Sequence, residues 1–172
     1  MIIDLSSIIK DYGGTMPLNI KVCLENTDFL GEEFKFPQGL DVNGKITNNT
    51  KSLQLEASVT GNIKVLCARC RKEILESISF DISEVLVREE EAENQIDEDV
   101  IVYQGHTVDV EDIVMNNFFM NVSGKFLCSD DCKGLCPKCG QDLNEKLCNC
   151  KDDEIDPRWQ GLAEIMKNSE TE

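Results

Sequence analysis

The chain has 172 residues, and its 17 Lys and Arg against 33 Asp and Glu give a formal charge of -16. A chain of this size buries roughly 70% of its unfolded surface, so one ordinary core suffices and no disulfide scaffold is required. Coating a nucleic acid with the whole surface is excluded, because phosphate binding runs on Lys and Arg displacing counterions; any RNA contact has to be local.

The first residues, 1–9, carry no Lys or Arg, and Asp4 interrupts their short apolar run, so no export signal is expected. No stretch approaches the ~20 apolar residues that would cross a bilayer. The expected compartment is the cytoplasm, where thiols stay reduced, and nine cysteines then read as metal ligands or redox groups rather than disulfides. The single histidine, His106, reads as a loop residue with no Ser or Cys partner for catalysis.

Leu5, Ile8, Ile9 and Tyr12 fall at helical spacing, after Asp4 as a cap and before Gly13-Gly14 as a stop, which predicts a short amphipathic helix. Leu18, Ile20, Val22 and Leu24 then alternate with Asn19, Lys21 and Cys23, the period of a half-buried strand that turns Cys23 away from the apolar row. Over residues 30–50 the Gly, Asn and Pro content predicts turns and short strands, at 33–36 and 42–46. Leu53, Leu55, Ala57, Val59, Ile63, Val65 and Cys67 all occupy odd positions, with Gly61 as a bend point. Ile74, Ile78, Phe80 and Ile82 continue the alternation on even positions, broken at Glu76, so two long antiparallel strands joined at Cys67-Ala68-Arg69-Cys70 are expected. Residues 84–99 hold eight acidic residues and one basic one, which predicts a solvated loop toward the end of that stretch.

Helical spacing returns over 109–122 through Val110, Ile113, Val114 and Phe118, capped by Thr107 or Asp109, with Glu111 and Asp112 suited to the N-terminal dipole. Met115, Phe119 and Met120 widen the apolar face, which favours burial in the core. A last helix is expected from Asp156 as cap and Pro157 in the first turn, with Trp159, Leu162, Ala163 and Met166 on one side.

Eight of the nine cysteines come in close pairs: Cys67/Cys70, Cys128/Cys132, Cys136/Cys139 and Cys148/Cys150. Such gaps let a tight turn bring two sulfurs onto one tetrahedral Zn2+ at ~2.3 Å. In Cys136-Pro137-Lys138-Cys139-Gly140, proline stiffens the turn and glycine tolerates the torsions that follow. Four pairs form two tetrads in three ways. The short, cheaply closed loop between them joins Cys136/Cys139 with Cys148/Cys150, which leaves Cys67/Cys70 at a hairpin tip to meet Cys128/Cys132. Four thiolates fill a zinc's coordination shell, so these are structural sites with no place for an activated water. The alternative is a redox use of paired thiols, but a thioredoxin-like pair needs a helix start after a strand. Cys23 is left out of both tetrads.

Lys64, Arg69, Arg71 and Lys72 form a block of positive charge around the first pair. Either they offset the charge of about -2 on a zinc with four thiolates, or they reach rRNA phosphate.

Thr60-Gly61-Asn62-Ile63 leading into Cys67-Ala68-Arg69-Cys70, then Cys132-Lys133-Gly134-Leu135-Cys136-Pro137-Lys138-Cys139-Gly140-Gln141-Asp142-Leu143-Asn144 and Asp156-Pro157-Arg158, resemble the bacterial YceD family. The resemblance implies a role in making or maintaining large-subunit rRNA, with no enzymatic activity. The family's gene commonly neighbours that of a small, basic, zinc-binding ribosomal protein of the large subunit. Members tend to carry an acidic residue in the helix before the second cysteine pair and a proline after it; this chain has Asn116 and Asn117 in the helix and Val122-Ser123-Gly124 at its exit.

These readings predict an α+β fold in a single domain over 1–172: an antiparallel β-sheet with flanking helices at 1–124, a cysteine-rich zinc-knuckle module at 125–155 and a C-terminal helix at 156–167. The expected function is non-catalytic. It is a ribosome-biogenesis factor that supports large-subunit rRNA accumulation by binding a basic large-subunit ribosomal protein or an rRNA precursor, with one or two structural Zn2+ and neither membrane nor small-molecule substrate. A redox-responsive zinc-thiolate protein is the alternative.

Overall fold

A computed structural model of the protein describes residues 1–92 and 100–150. The end of the acidic stretch and the expected helix at 156–167 lie outside the described residues. In chain order the elements are β1 (Ile2–Asp4), α1 (Ser6–Ile9), β2 (Thr15–Val22), β3 (Thr27–Phe29), β4 (Glu32–Phe34), β5 (Leu40–Asn48), β6 (Leu53–Leu66), β7 (Glu73–Arg88), α2 (Glu89–Ala92), β8 (Val100–Tyr103), β9 (Thr107–Asp109) and α3 (Val110–Asn121). The chain divides into two compact units, Met1–Cys132 and a second beginning at Lys133.

The first unit is built on a sheet of order β2-β5-β6-β7-β8. The β6–β7 hairpin is its spine, with register running from Leu53 opposite Leu86 to Leu66 opposite Glu73. Odd residues of β6 face even residues of β7, so Val59 pairs with Phe80 and Ala57 with Ile82 on one buried face. This is the alternation read from the sequence, and it puts Cys67 and Cys70 at the hairpin tip. Gly61 stays within the strand rather than bending it, because a Cβ there would meet Leu40 Cδ2 at 2.6 Å.

Two expectations are corrected. The sheet is mixed, since β8 runs parallel to β7 with Val85 opposite Val100. Its residues carry no alternation against polar neighbours because a four-residue strand is too short to show one. The acidic stretch opens as strand, β7 continuing to Arg88 with Leu86 and Val87 fully buried, while the loop expected toward its end falls outside the described residues. The first helix is only Ser6–Ile9, and Tyr12 leaves the apolar face to stand 73% exposed in the turn before Gly13.

The apolar helix forms where expected, but Met120 is 85% exposed and takes no part in the buried face that the sequence assigned to it. Asp109 caps α3 by accepting from the Glu111 amide at 3.0 Å, and Val110, Ile113, Val114 and Phe118 are buried. Phe118 is the hub of an aromatic cluster, edge-on to Phe34 at 5.3 Å and to Phe36 at 5.2 Å. Asn117 donates to the Glu84 carboxylate on β7 at 2.8 Å. Leaving α3, Phe126 packs edge-on against Phe34 at 6.1 Å, which aims the following residues at the hairpin tip.

Phe118→Ala empties the centre of this cluster, and is expected to destabilise the first unit by about 3–5 kcal/mol, read from urea unfolding with metal present.

Candidate metal centres

Two groups of four cysteines are positioned to hold metal ions: Cys67, Cys70, Cys128 and Cys132 in the first unit, and Cys136, Cys139, Cys148 and Cys150 in the second. Within each group the sulfurs all lie within 4.8 Å of one another. This is the pairing expected from the sequence. Cys23 is exposed and joins neither group.

The same backbone turn presents both leading pairs. In the first, the Cys67 amide donates to the Lys72 carbonyl at 2.8 Å and the Arg71 amide to the Cys67 carbonyl at 2.9 Å. In the second, Cys136 donates to the Gln141 carbonyl at 2.8 Å and Gly140 to the Cys136 carbonyl at 2.9 Å. Each turn is closed by a paired couple one residue outside it, Leu66 with Glu73 and Leu135 with Asp142. The residue after the second cysteine is left-handed in both, Gly140 at φ 73° and Arg71 at φ 59°. For glycine that conformation is free; for arginine it costs about 1–2 kcal/mol. Arg71 is held there by Glu32, whose carboxylate oxygens accept from its Nη1 at 2.9 and 3.1 Å.

The first group is completed from the segment after α3. The Ala68 amide donates to the Phe126 carbonyl at 2.8 Å, and the Cys128 amide points at the Cys67 sulfur at 3.4 Å. The sulfurs of Cys67 and Cys132 are 3.8 Å apart and those of Cys70 and Cys128 3.6 Å. A tetrahedral ion with metal–sulfur bonds of about 2.3 Å has sulfur–sulfur edges of about 3.8 Å, whereas a disulfide needs about 2.0 Å. The donor set and its spacing therefore fit a closed tetrahedral site. Cys67, Cys70 and Cys132 are buried; in the second group only Cys136 is.

The local electrostatics repeat as well. Burial opposes the Cys67 thiolate, but amide N–H groups of Cys70, Cys128 and Arg69 aim at its sulfur and bring the thiol down to about 6. Amides of Cys139 and Lys138 bring Cys136 down to about 6 in the same way. Cys128, against Cys132 first and then Cys70, is pushed up to about 12, and Cys150, against Cys139, also to about 12. In each group the leading cysteine is thus the one whose thiolate the backbone favours most, as suits a metal ligand.

The basic block is mostly occupied. Arg69 Nη1 donates to the carbonyls of Cys132 at 2.8 Å and Asp130 at 3.2 Å. Lys64 pairs with Glu73 at 3.1 Å, and Lys35 approaches the same carboxylate at 3.4 Å. Between these hydrogen bonds the Glu73 acid is held below its usual range. Of the four, only the Lys72 ammonium meets no partner among the described residues. The sequence offers Arg69 as an offset to the tetrad's charge or a contact for rRNA phosphate and does not show this clasp, because its acceptors are backbone carbonyls 61 and 63 residues away and carry no side-chain signal.

The family described as large ribosomal RNA subunit accumulation protein YceD matches residues 55–166. The chain is 24% identical over 129 residues to an uncharacterised protein of Mycobacterium tuberculosis, covering 74% of this chain and 62% of that one. It is 25% identical to the Arabidopsis thaliana protein named large ribosomal RNA subunit accumulation protein YCED homolog 1, chloroplastic, over 77% of this chain and 50% of the relative. It is 21% identical to the uncharacterised protein YlbN of Bacillus subtilis, over 75% of each. The chain thus spans less than two thirds of the mycobacterial relative and half of the plant one. No solved structure matches it.

Dialysis against EDTA is expected to lower the calorimetric Tm by at least ~10 °C, with elemental analysis following the metal; an unchanged melt would mean the thiols stand without ions. Arg69→Ala should cost about 1.5–3 kcal/mol, the range for a hydrogen bond to a charged group, and hasten metal loss to a chelator. Arg71→Gly trades backbone strain against an exposed ion pair and should stay within about 1 kcal/mol of the parent.

Proposed function

The chain belongs to the YceD family of large ribosomal RNA subunit accumulation proteins, and from that premise we propose that it is a non-catalytic, cytoplasmic factor in ribosome biogenesis that holds a basic large-subunit ribosomal protein. Zn2+ fills both cysteine tetrads and is structural. Four thiolates complete its shell and leave no coordination position for a water or substrate. When bound, the ion supplies positive charge to each thiolate cluster and free energy to the fold; the chain's own residues supply the surfaces.

The observation that carries the choice of partner is the fate of the basic block. Arg69, Arg71 and Lys64 are committed to Cys132 and Asp130, Glu32 and Glu73 respectively, so the hairpin tip offers phosphate little beyond Lys72. Around it lies a chain with a formal charge of -16. Such a field steers cationic partners and fends off polyanions. The rRNA-precursor reading at the hairpin tip is weakened accordingly. A redox reading gains nothing from Cys67 and Cys70, which sit between β6 and β7 with no helix start to stabilise a lone thiolate.

Immobilised protein is expected to retain a basic large-subunit ribosomal protein from RNase-treated lysate at low salt and to release it as ionic strength shortens the Debye length to about 3–8 Å. If RNase abolishes the capture, RNA is the partner instead.

A further inference from the structure

Where the end of α1, the β5–β6 turn and the end of β7 meet, the first unit holds a cavity of about 340 Å³. Lys10, Lys51 and Arg88 line it, and no carboxylate does among the described residues. None of the three cations has an ion-pair or hydrogen-bond partner among the described residues. Arg88 Nε is buried without an acceptor, a condition native structures seldom leave unexplained. Elsewhere the described lysines and arginines are mostly engaged by carboxylates or carbonyls; here three are gathered and left open.

The cavity is built rather than incidental. Asn48, 4% exposed, is the buried polar side chain of the described core. Its Nδ2 donates to the carbonyls of Ile8 at 2.8 Å and Ile9 at 3.2 Å, and its Oδ1 accepts from the Thr50 amide at 2.8 Å. One side chain thereby ties the stretch bearing Lys10 to the turn bearing Lys51. Thr50 is left-handed at φ 72°, a conformation a β-branched residue keeps only when its surroundings impose it. Tyr12, 73% exposed, also lines the cavity and offers a free aromatic ring.

Three cations lining one cavity suit a phosphate, and an exposed tyrosine lining it too suits a base, since stacking on an aromatic face is open to every nucleobase. We infer that this cavity binds a nucleotide, its phosphate on Lys10, Lys51 and Arg88 and its base against Tyr12. The chemistry stands without the proposed function; only the source of the nucleotide, an RNA strand or a free mononucleotide, rests on that reading.

Full-length, zinc-loaded protein is titrated into end-labelled eight-nucleotide oligoadenylate, with AMP and inorganic phosphate as competitors, and AMP binding is measured separately by calorimetry. Lys10→Gln combined with Lys51→Gln should weaken binding at least tenfold and flatten the log K against log salt slope by about 1.4, two single-strand phosphate contacts. Tyr12→Ala should weaken it about fivefold or more with the slope unchanged. AMP should displace the strand at concentrations where inorganic phosphate does not. AMP binding that the double substitution removes, without strand binding, would uphold the cavity and detach it from the rRNA reading. Parent-like binding by the double variant, or phosphate competing as well as AMP with Tyr12→Ala silent, would overturn the inference. All three positions are on the surface, and far-ultraviolet circular dichroism checks that each variant is folded.

Discussion

The first unit depends on four sulfurs converging at the end of a long β-ribbon. Two come with the ribbon's turn and two from the segment beyond α3, so the ring of contacts closes across some 60 residues of chain (separations of 58 and 65 residues). A structural zinc contributes an apparent 10–16 kcal/mol or so, comparable to the entire net stability of a domain, about 5–15 kcal/mol. Hydrophobic burial could not substitute here, because residues 123–132 bring little apolar surface beyond the half-buried Phe126 and Leu127. What aligns the segment before the sulfurs meet is ordinary packing: Phe126 on Phe34, Phe34 on Phe118, and Phe118 at the centre of the core.

The charge of the protein is organised around that constraint. Three of the four cations beside the first tetrad, Arg69, Arg71 and Lys64, are spent on carbonyls and carboxylates that hold the turn and the ligand segment, so most of a basic block in sequence does not become a basic surface in space. Positive charge remains open where no metal needs it, at the opposite end of β6 and β7, around Asn48. A protein whose average field repels phosphate would then meet a nucleotide at that cluster of surface cations, while its acidic exterior stays available for a basic partner.

The two metal turns are one local structure used twice, with matching hydrogen bonds, matching left-handed residues and matching lowered leading thiols. Their surroundings differ. Gly140 adopts its torsion freely in a short, exposed segment, whereas Arg71 is strained into the same torsion and anchored to Glu32. The first turn has thus become part of the first unit's internal network, and the second is held by its own local bonds, including the Leu143 amide to the Gly134 carbonyl at 2.9 Å.

The sequence by itself determined the β6–β7 hairpin, the capped helix α3 and the division of eight cysteines into two tetrads. Each of these rests on short-range periodicity or spacing: alternation by two, apolar recurrence near four, and cysteines two to four positions apart. Tertiary structure alone decided the rest. The parallel seat of β8, the extension of β7 to Arg88, and the turning of Tyr12 out to solvent all depend on partners distant in the chain. So does the conversion of Arg69 from a free charge to a clasp, because a backbone carbonyl is the same acceptor in every residue and leaves no trace in the letters.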